Sequence, residues 1–266
     1  GRDLGVVSIP NSSTILSSNR YLGLNNNRIT VYGEIHVPDR FERHIIENLY
    51  SKLLEGDNYL FLEISPEQLR ILKDSDSNPT TSGNISNLII HMKSLSILLG
   101  ITIDDIFDKI VPFDPRPNVL HQIRFNYNGP ESYLGQFNII KNKLYDEASS
   151  IEEFKTTLYD YYIKPVTDYL SSINSIINPF INHIIGDLKT IHFKKIKEII
   201  ENNTWTLSEY EYFYKSLRII YANICDINMI VLILNYRDKE INVLIGQSHS
   251  EYIFKLFDEI RVAPWQ

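Results

Sequence analysis

The chain has a single cysteine, Cys225, among 266 residues. One thiol cannot form an intramolecular disulfide, and it cannot supply a Cys-rich zinc site. Basic residues are also outnumbered, because 26 Lys and Arg stand against 33 Asp and Glu, for a formal net charge of −7. A net acidic chain is a poor generic binder of the nucleic-acid backbone, so we expect no nucleic-acid partner.

Long apolar runs are missing as well. No stretch approaches the roughly 20 apolar residues needed to cross a bilayer, and no signal peptide is visible, so we expect a soluble chain without a transmembrane segment. What is present is ordinary for a globular protein, with 43% hydrophobic and 22% charged residues. A chain of this length buries a sizeable core without disulfides or metal. We therefore expect a single domain over residues 1–266.

Short β-branched and aromatic runs predict four strands, at 28–33, 58–64, 109–113 and 242–246. Apolar residues at helical spacing between the first two strands predict a helix there. This strand–helix–strand unit predicts a right-handed βαβ crossover near the N-terminus and a mixed α/β fold around a mainly parallel central sheet. Residues 1–28 are predicted to be irregular, and residues 133–235 to form a large helical insertion or lid.

Polar or ionisable residues follow each predicted strand at its carboxyl end. The carboxyl ends of parallel strands meet at one edge of a sheet, where sites commonly form. We therefore expect these side chains to share one cleft. They are Glu34 and His36 after the first strand, Glu63 in the second, Asp114 and Arg116 after the third, and Ser248 and His249 after the last.

The spacing Gly33-x-x-His36 recurs as Gly246-x-x-His249 after the last strand. Two neutral imidazoles and the Glu63 carboxylate would make an open metal site with a position left for water. The same groups also suit chemistry without metal, with one histidine as the base, a carboxylate to orient it and Arg116 to stabilise an oxyanion.

Structural alternatives exist for each of these residues. Glu63 could be half of a buried ion pair with Arg116, since an unpaired buried carboxylate is costly. Either Gly-x-x-His copy taken alone is a weak signal that a loop produces by coincidence. Cys225, in an apolar helix, is interpreted as a packing thiol. Surface or core positions are favoured for His91, His121, His183 and His192.

Five short segments carry a family resemblance, namely 31–36 (VYGEIH), 59–65 (YLFLEIS), 111–116 (VPFDPR), 226–229 (DINM) and 243–249 (VLIGQSH). In this order they resemble the superfamily of erythromycin esterases, ChaN haem-binding lipoproteins, TraB pheromone-shutdown proteins and Tiki proteases. The GEIH segment with His44 is similar to the ChaN and esterase branches, and the paired Gly-x-x-His to Tiki and TraB. Asp226-x-x-Met229 resembles an esterase segment in which an arginine stands where this chain has Cys225.

The resemblance implies a mixed β/α fold in which two histidines and Glu63 face a shared cleft. We expect a hydrolase that activates water there and acts on a peptide or ester bond of a peptide or small-molecule substrate. His36, Glu63 and His249 would form the catalytic core and would hold a divalent metal such as Mn, Co or Zn. Glu34 would be a further ligand or a general base.

The residues that would bind the substrate are Asp114, Arg116, Ser248 and His44. Arg116 would also be a catalytic residue. Two alternatives stay open at this stage. One is a haem or small-molecule carrier of the ChaN type, for which haem would be the cofactor. The other is a degenerate enzyme that acts as an interaction protein.

Overall fold

The computed structural model describes residues 15–24, 26–35, 43–74, 84–119, 151–174, 194–201 and 207–249, with residues 252, 253, 256 and 257. The chain divides into two compact units, of which the first joins Gly1–Asp114 to Asn228–Gln266 and the second is Pro115–Ile227. These boundaries differ from the predicted 133–235. The interpretation of that segment as an insertion or lid of a single domain stays a prediction.

The first unit is built on a five-stranded sheet in the order β1-β2-β5-β3-β4. Strand β1 is antiparallel to β2, and every other neighbouring pair is parallel. The mixed α/β character and the mainly parallel sheet are thereby confirmed. The strands are β1 (Ile15–Leu24), β2 (Asn27–Glu34), β3 (Asn58–Leu62), β4 (Ile110–Pro112) and β5 (Glu240–Gly246).

Strand β1 corrects the prediction that residues 1–28 are irregular. Its ILSSNRYLGL sequence is rich in Ser and Asn, which have low strand propensity, so the pattern did not favour a strand. The segment pairs along its length with β2 at the edge of the sheet, and Tyr21 packs its ring 4.8 Å from that of Phe257. Tertiary pairing therefore overrides the local preference.

Helix α1 (Arg43–Leu54) lies between β2 and β3 along the chain, and both strands run parallel to β5. The two strands are not neighbours, however, because β5 lies between them and hydrogen-bonds to both. The predicted βαβ crossover and its handedness stay predictions.

Three more helices follow in the first unit, α2 (Pro66–Asp74), α3 (Asn84–Leu99) and α4 (Ile103–Phe107). One apolar cluster joins the sheet to these helices and to α1. Strands contribute Leu60, Leu62 and Leu244 to it, and α1 contributes Leu49 and Leu53. All of these side chains are almost completely buried, so Leu49 and Leu53 face the core as their helical spacing predicts, whereas the apolar Leu54 at the end of α1 is exposed.

The second unit is helical where the structure describes it. Its elements are α5 (Arg116–Val119), α6 (Ile151–Leu158), a π-helical turn (Tyr159–Ile163), α7 (Lys164–Asn174), α8 (Lys194–Glu201) and most of α9 (Leu207–Ile233). The Tyr221 hydroxyl donates a 2.8 Å hydrogen bond to the Tyr162 carbonyl, and burial raises the pKa of both phenols. Cys225 is fully buried, as expected of a packing thiol.

Within the described helices, one stretch is long and apolar enough to cross a membrane, Lys215–Ile233 in α9. Two-thirds of that window (67%) is buried inside the protein. A core helix of a globular protein passes the same test of length and composition, so the stretch is weak evidence for a membrane span.

Asn27 ties the beginning of the sheet to the end of α9. Its side-chain nitrogen donates to the Ile233 carbonyl at 3.2 Å, and its side-chain oxygen accepts from the Lys239 backbone N–H at 3.3 Å. Asn27 is completely buried, and its bond to the Ile233 carbonyl forms away from water. The amide thus fixes where α9 ends and where β5 begins.

We expect Asn27→Ala to lower the free energy of unfolding by about 1–3 kcal/mol, because it removes two hydrogen bonds of a buried side chain at once. Urea denaturation followed by circular dichroism measures the change. The exposed Asn235, just beyond α9, supplies the control, since Asn235→Ala should change stability by less than about 0.5 kcal/mol. Equal effects of the two variants would contradict the role given to Asn27.

Candidate functional site

The parallel strands end at a common edge of the sheet. Glu34 in β2 pairs in register with Gly246 in β5, and Leu62 in β3 pairs with both Leu244 and Pro112. The chain segments that follow these strands therefore leave the sheet side by side. We call this edge the carboxyl edge; it carries Glu34, Glu63, Asp114 and the turn Gln247–His249.

Glu63 occupies a tight turn directly after β3. The Ile64 N–H donates to the Leu62 carbonyl at 2.8 Å, and the Ile64 carbonyl accepts from the Asp114 N–H at 3.0 Å. The turn is thereby held on both sides by backbone bonds. Such a turn places a carboxylate at the sheet edge with little freedom to move.

Helix α2 begins immediately after this turn. The Ser65 hydroxyl accepts from the Gln68 N–H at 3.2 Å, and the Gln68 side chain accepts from the Ser65 N–H at 3.0 Å. This reciprocal pair is a capping box, which satisfies backbone donors at a helix start. It fixes the backbone that directly follows Glu63 in the sequence.

His249 lies opposite Glu63, in the short 3₁₀ turn after β5. Its Nε2 atom is 3.5 Å from the Glu63 Oε2 atom, which is ion-pair distance when the imidazole is protonated. The two side chains are only 6% and 4% exposed. Burying a carboxylate is costly without a partner, and the imidazole supplies one. Glu63 therefore has His249 as a close neighbour, and its ion pair with Arg116 stays a prediction.

Two further carboxylates lie at the carboxyl edge. Glu34 is 1% exposed at the end of β2, and Asp114 is buried just beyond β4. The segment before Asp114 is anchored by Asn228, whose side chain donates to the Phe113 carbonyl at 2.9 Å. Sequence reasoning gave Asn228 no role, although a polar residue in an apolar helix was a usable signal.

The remaining predicted residues are His36, His44, Ser248 and Arg116. His36 falls outside the described residues. His44 is exposed on α1, and Ser248 is exposed between Gln247 and His249. Arg116 is buried at the start of α5 in the second unit. The roles of these residues stay predictions.

Of the other histidines, His91 has a structural contact and the rest lie outside the described residues. His91, half-buried on α3, places its Nε2 atom 3.7 Å from the Glu47 Oε1 atom of α1. This second His–Glu pair joins two helices rather than strand ends. His121, His183 and His192 lie outside the described residues.

No three or more His, Cys, Asp or Glu side chains within the described ranges are placed to hold a metal ion. The predicted ligand set includes His36, which is not among those residues. The described part of the chain therefore supplies at most two of the three predicted ligands, Glu63 and His249. Metal binding stays a prediction.

Comparisons of the chain with protein-family models, with curated proteins and with solved structures find no match. The resemblance to the erythromycin esterase, ChaN, TraB and Tiki superfamily thus rests on the short sequence motifs and stays a prediction.

We expect Glu63 and His249 to be energetically coupled. In a double-mutant cycle of Glu63→Gln and His249→Gln, the two changes in unfolding free energy should differ from additivity by about 0.5–3 kcal/mol.

The matched cycle combines Glu63→Gln with His44→Gln, which changes an exposed histidine. It should be additive to within about 0.5 kcal/mol. Additivity in both cycles would mean that Glu63 and His249 are neighbours without a stabilising interaction.

Proposed function

We propose that the first unit is a hydrolase centred on the buried His249–Glu63 pair. The observation that carries the proposal is the 3.5 Å separation of His249 Nε2 and Glu63 Oε2 at the carboxyl edge of a parallel sheet. A histidine next to a carboxylate is the combination that general-base catalysis uses, because the carboxylate orients the imidazole and stabilises its protonated form.

The proposed mechanism gives a separate task to each ring nitrogen of His249. Nε2 faces Glu63 at 3.5 Å, and Nδ1 would act on the substrate side. In the proposed reaction His249 takes a proton from water while the water oxygen bonds to the carbonyl carbon of a peptide or ester. The imidazolium then returns the proton to the leaving nitrogen or oxygen as the scissile bond breaks. Glu63 orients the imidazole and takes no proton in these steps.

Glu34 is the second carboxylate of the proposed site. It is held at the end of β2, beside the strand that leads into His249. Its position suits a group that orients the attacking water or acts as an additional base. Two carboxylates with different neighbours at one site commonly take different roles.

A metal-dependent form of the proposal uses the same residues differently. His36, Glu63 and His249 would be ligands of Mn, Co or Zn, and a bound metal ion would lower the pKa of a coordinated water. The steps given above do not depend on this form, because the described side chains do not complete a metal site. The two forms differ in whether activity requires metal.

We expect His249→Ala and Glu63→Gln each to lower kcat/KM by about 10²–10⁴-fold, the range that general acid–base groups contribute. Activity would be measured on a peptide library and on p-nitrophenyl esters, with circular dichroism confirming the fold of each variant. His91→Ala is the control, because it removes a histidine of the other His–Glu pair, away from the strand ends.

Parent-level turnover by both site variants would refute the role of the pair. Absence of turnover in the parent, combined with a Soret band on adding haemin that His44→Ala abolishes, would favour the haem carrier instead.

In the metal-dependent form, protein purified without chelator or nickel resin should contain close to one Mn, Co or Zn per chain. The double variant His36→Ala/His249→Ala should lose this metal, because two of the three ligands are removed, while His91→Ala should keep it. Plasma mass spectrometry measures the content.

Absence of metal in the parent, with no gain in activity on adding Mn, Co or Zn, would refute the metal-dependent form. The metal-free mechanism of His249 and Glu63 would then be the one to pursue.

A further inference from the structure

A cavity of about 310 Å³ opens at the other end of the same sheet, where the parallel strands begin. It is lined by β1, β2 and β5 and by the last turn of α1. Its charged lining residues are Arg20, Arg28, Lys52 and Glu240. The lining therefore carries three positive charges and one negative charge. The chain as a whole has the opposite sign, with a net charge of −7. A cavity whose sign opposes that of the whole protein attracts anions locally.

The strand register places the lining side chains together. Arg20 of β1 is opposite Thr30 of β2, and Thr30 is level with Asn242 of β5. Directly paired residues project from the same face of a sheet. Burial raises the pKa of the Tyr32 phenol on this face, and the positive charge of Arg20 partly opposes that rise. Lys52 approaches the same face from α1.

The positive charge of the cavity is not neutralised by the described parts of the chain. Arg28 lies 3.7 Å from Glu240, but both side chains are exposed, and exposed pairs of this kind are weak. Among the described residues neither Arg20 nor Lys52 is in an ion pair. Within the described part of the chain, these two cations are therefore available to a ligand.

We propose that this cavity binds a small phosphorylated molecule carrying two or more negative charges. The planar Arg20 guanidinium can donate two hydrogen bonds to phosphoryl oxygens, and Lys52 adds a mobile point charge. The Thr30 hydroxyl supplies a neutral donor between them. The volume lies at the lower end of the range typical of small-molecule sites.

This site is independent of the proposed hydrolase site. Glu34 is six positions after Arg28 in β2, which is about 20 Å at the rise of an extended strand. A ligand in the cavity would therefore not touch the His249–Glu63 pair. The site would be a second binding function of the first unit.

The test is isothermal titration calorimetry of the whole chain with inorganic pyrophosphate, with phenyl phosphate and with citrate. We expect pyrophosphate to bind most tightly and its affinity to fall as salt is raised. Arg20→Gln and Lys52→Gln should each weaken it about tenfold or more, the effect of losing one charge-assisted hydrogen bond. Arg43→Gln removes the same charge from α1 outside the cavity, where Arg43 pairs with Glu47 at 2.9 Å, and should leave binding unchanged.

Three results would overturn the proposal. They are absence of heat with pyrophosphate in the parent, equal weakening by Arg43→Gln and the cavity variants, and citrate binding as tightly as pyrophosphate. Thermal melting of each variant confirms that it is folded, so that a loss of binding is not a loss of structure. Binding of phenyl phosphate comparable to that of pyrophosphate would support a phosphate ester as the natural ligand class.

Discussion

Strand β5 hydrogen-bonds to β2 along one side and to β3 along the other. Both pairings are parallel, so all three strands run in one direction and end at one edge. Residues remote in sequence become neighbours as a result. Glu63 and His249 approach within 3.5 Å because their strands are paired, not because any local segment brings them together. The proposed site depends on this central position of β5.

The ionisable groups at the strand ends are buried next to the apolar core, which is energetically unfavourable. Glu34, Glu63 and His249 are as buried as many core side chains. Apolar residues there would cost less, because burying ionisable groups is unfavourable unless they are paired. The backbone around Glu63 is fixed by the tight turn and the capping box that follows it. Buried ionisable groups held on a rigid backbone are typical of functional sites.

Much of this backbone could be predicted from local sequence, because each parallel strand is a short apolar run with a polar residue after it. The 58–64 run contains β3, and 242–246 lies within β5. Strand β1 was missed because its Ser and Asn content is that of a loop, and only its pairing with β2 makes it a strand. The order of strands was also beyond local reasoning, since Tyr59 and Asn242 are joined by a hydrogen bond across 183 positions. The cationic cavity was missed for the same reason, because Arg20, Arg28 and Lys52 lie on separate elements.

The central place of β5 also has a consequence for biogenesis. It is the last of the five strands to leave the ribosome, although it belongs in the middle of the sheet. Until it emerges, β2 and β3 lack their shared neighbour and present open edges, which are prone to pair with other chains. Closing so large a loop is entropically costly and slow. The nascent chain is therefore most exposed to pairing with other chains in the interval before β5 is made.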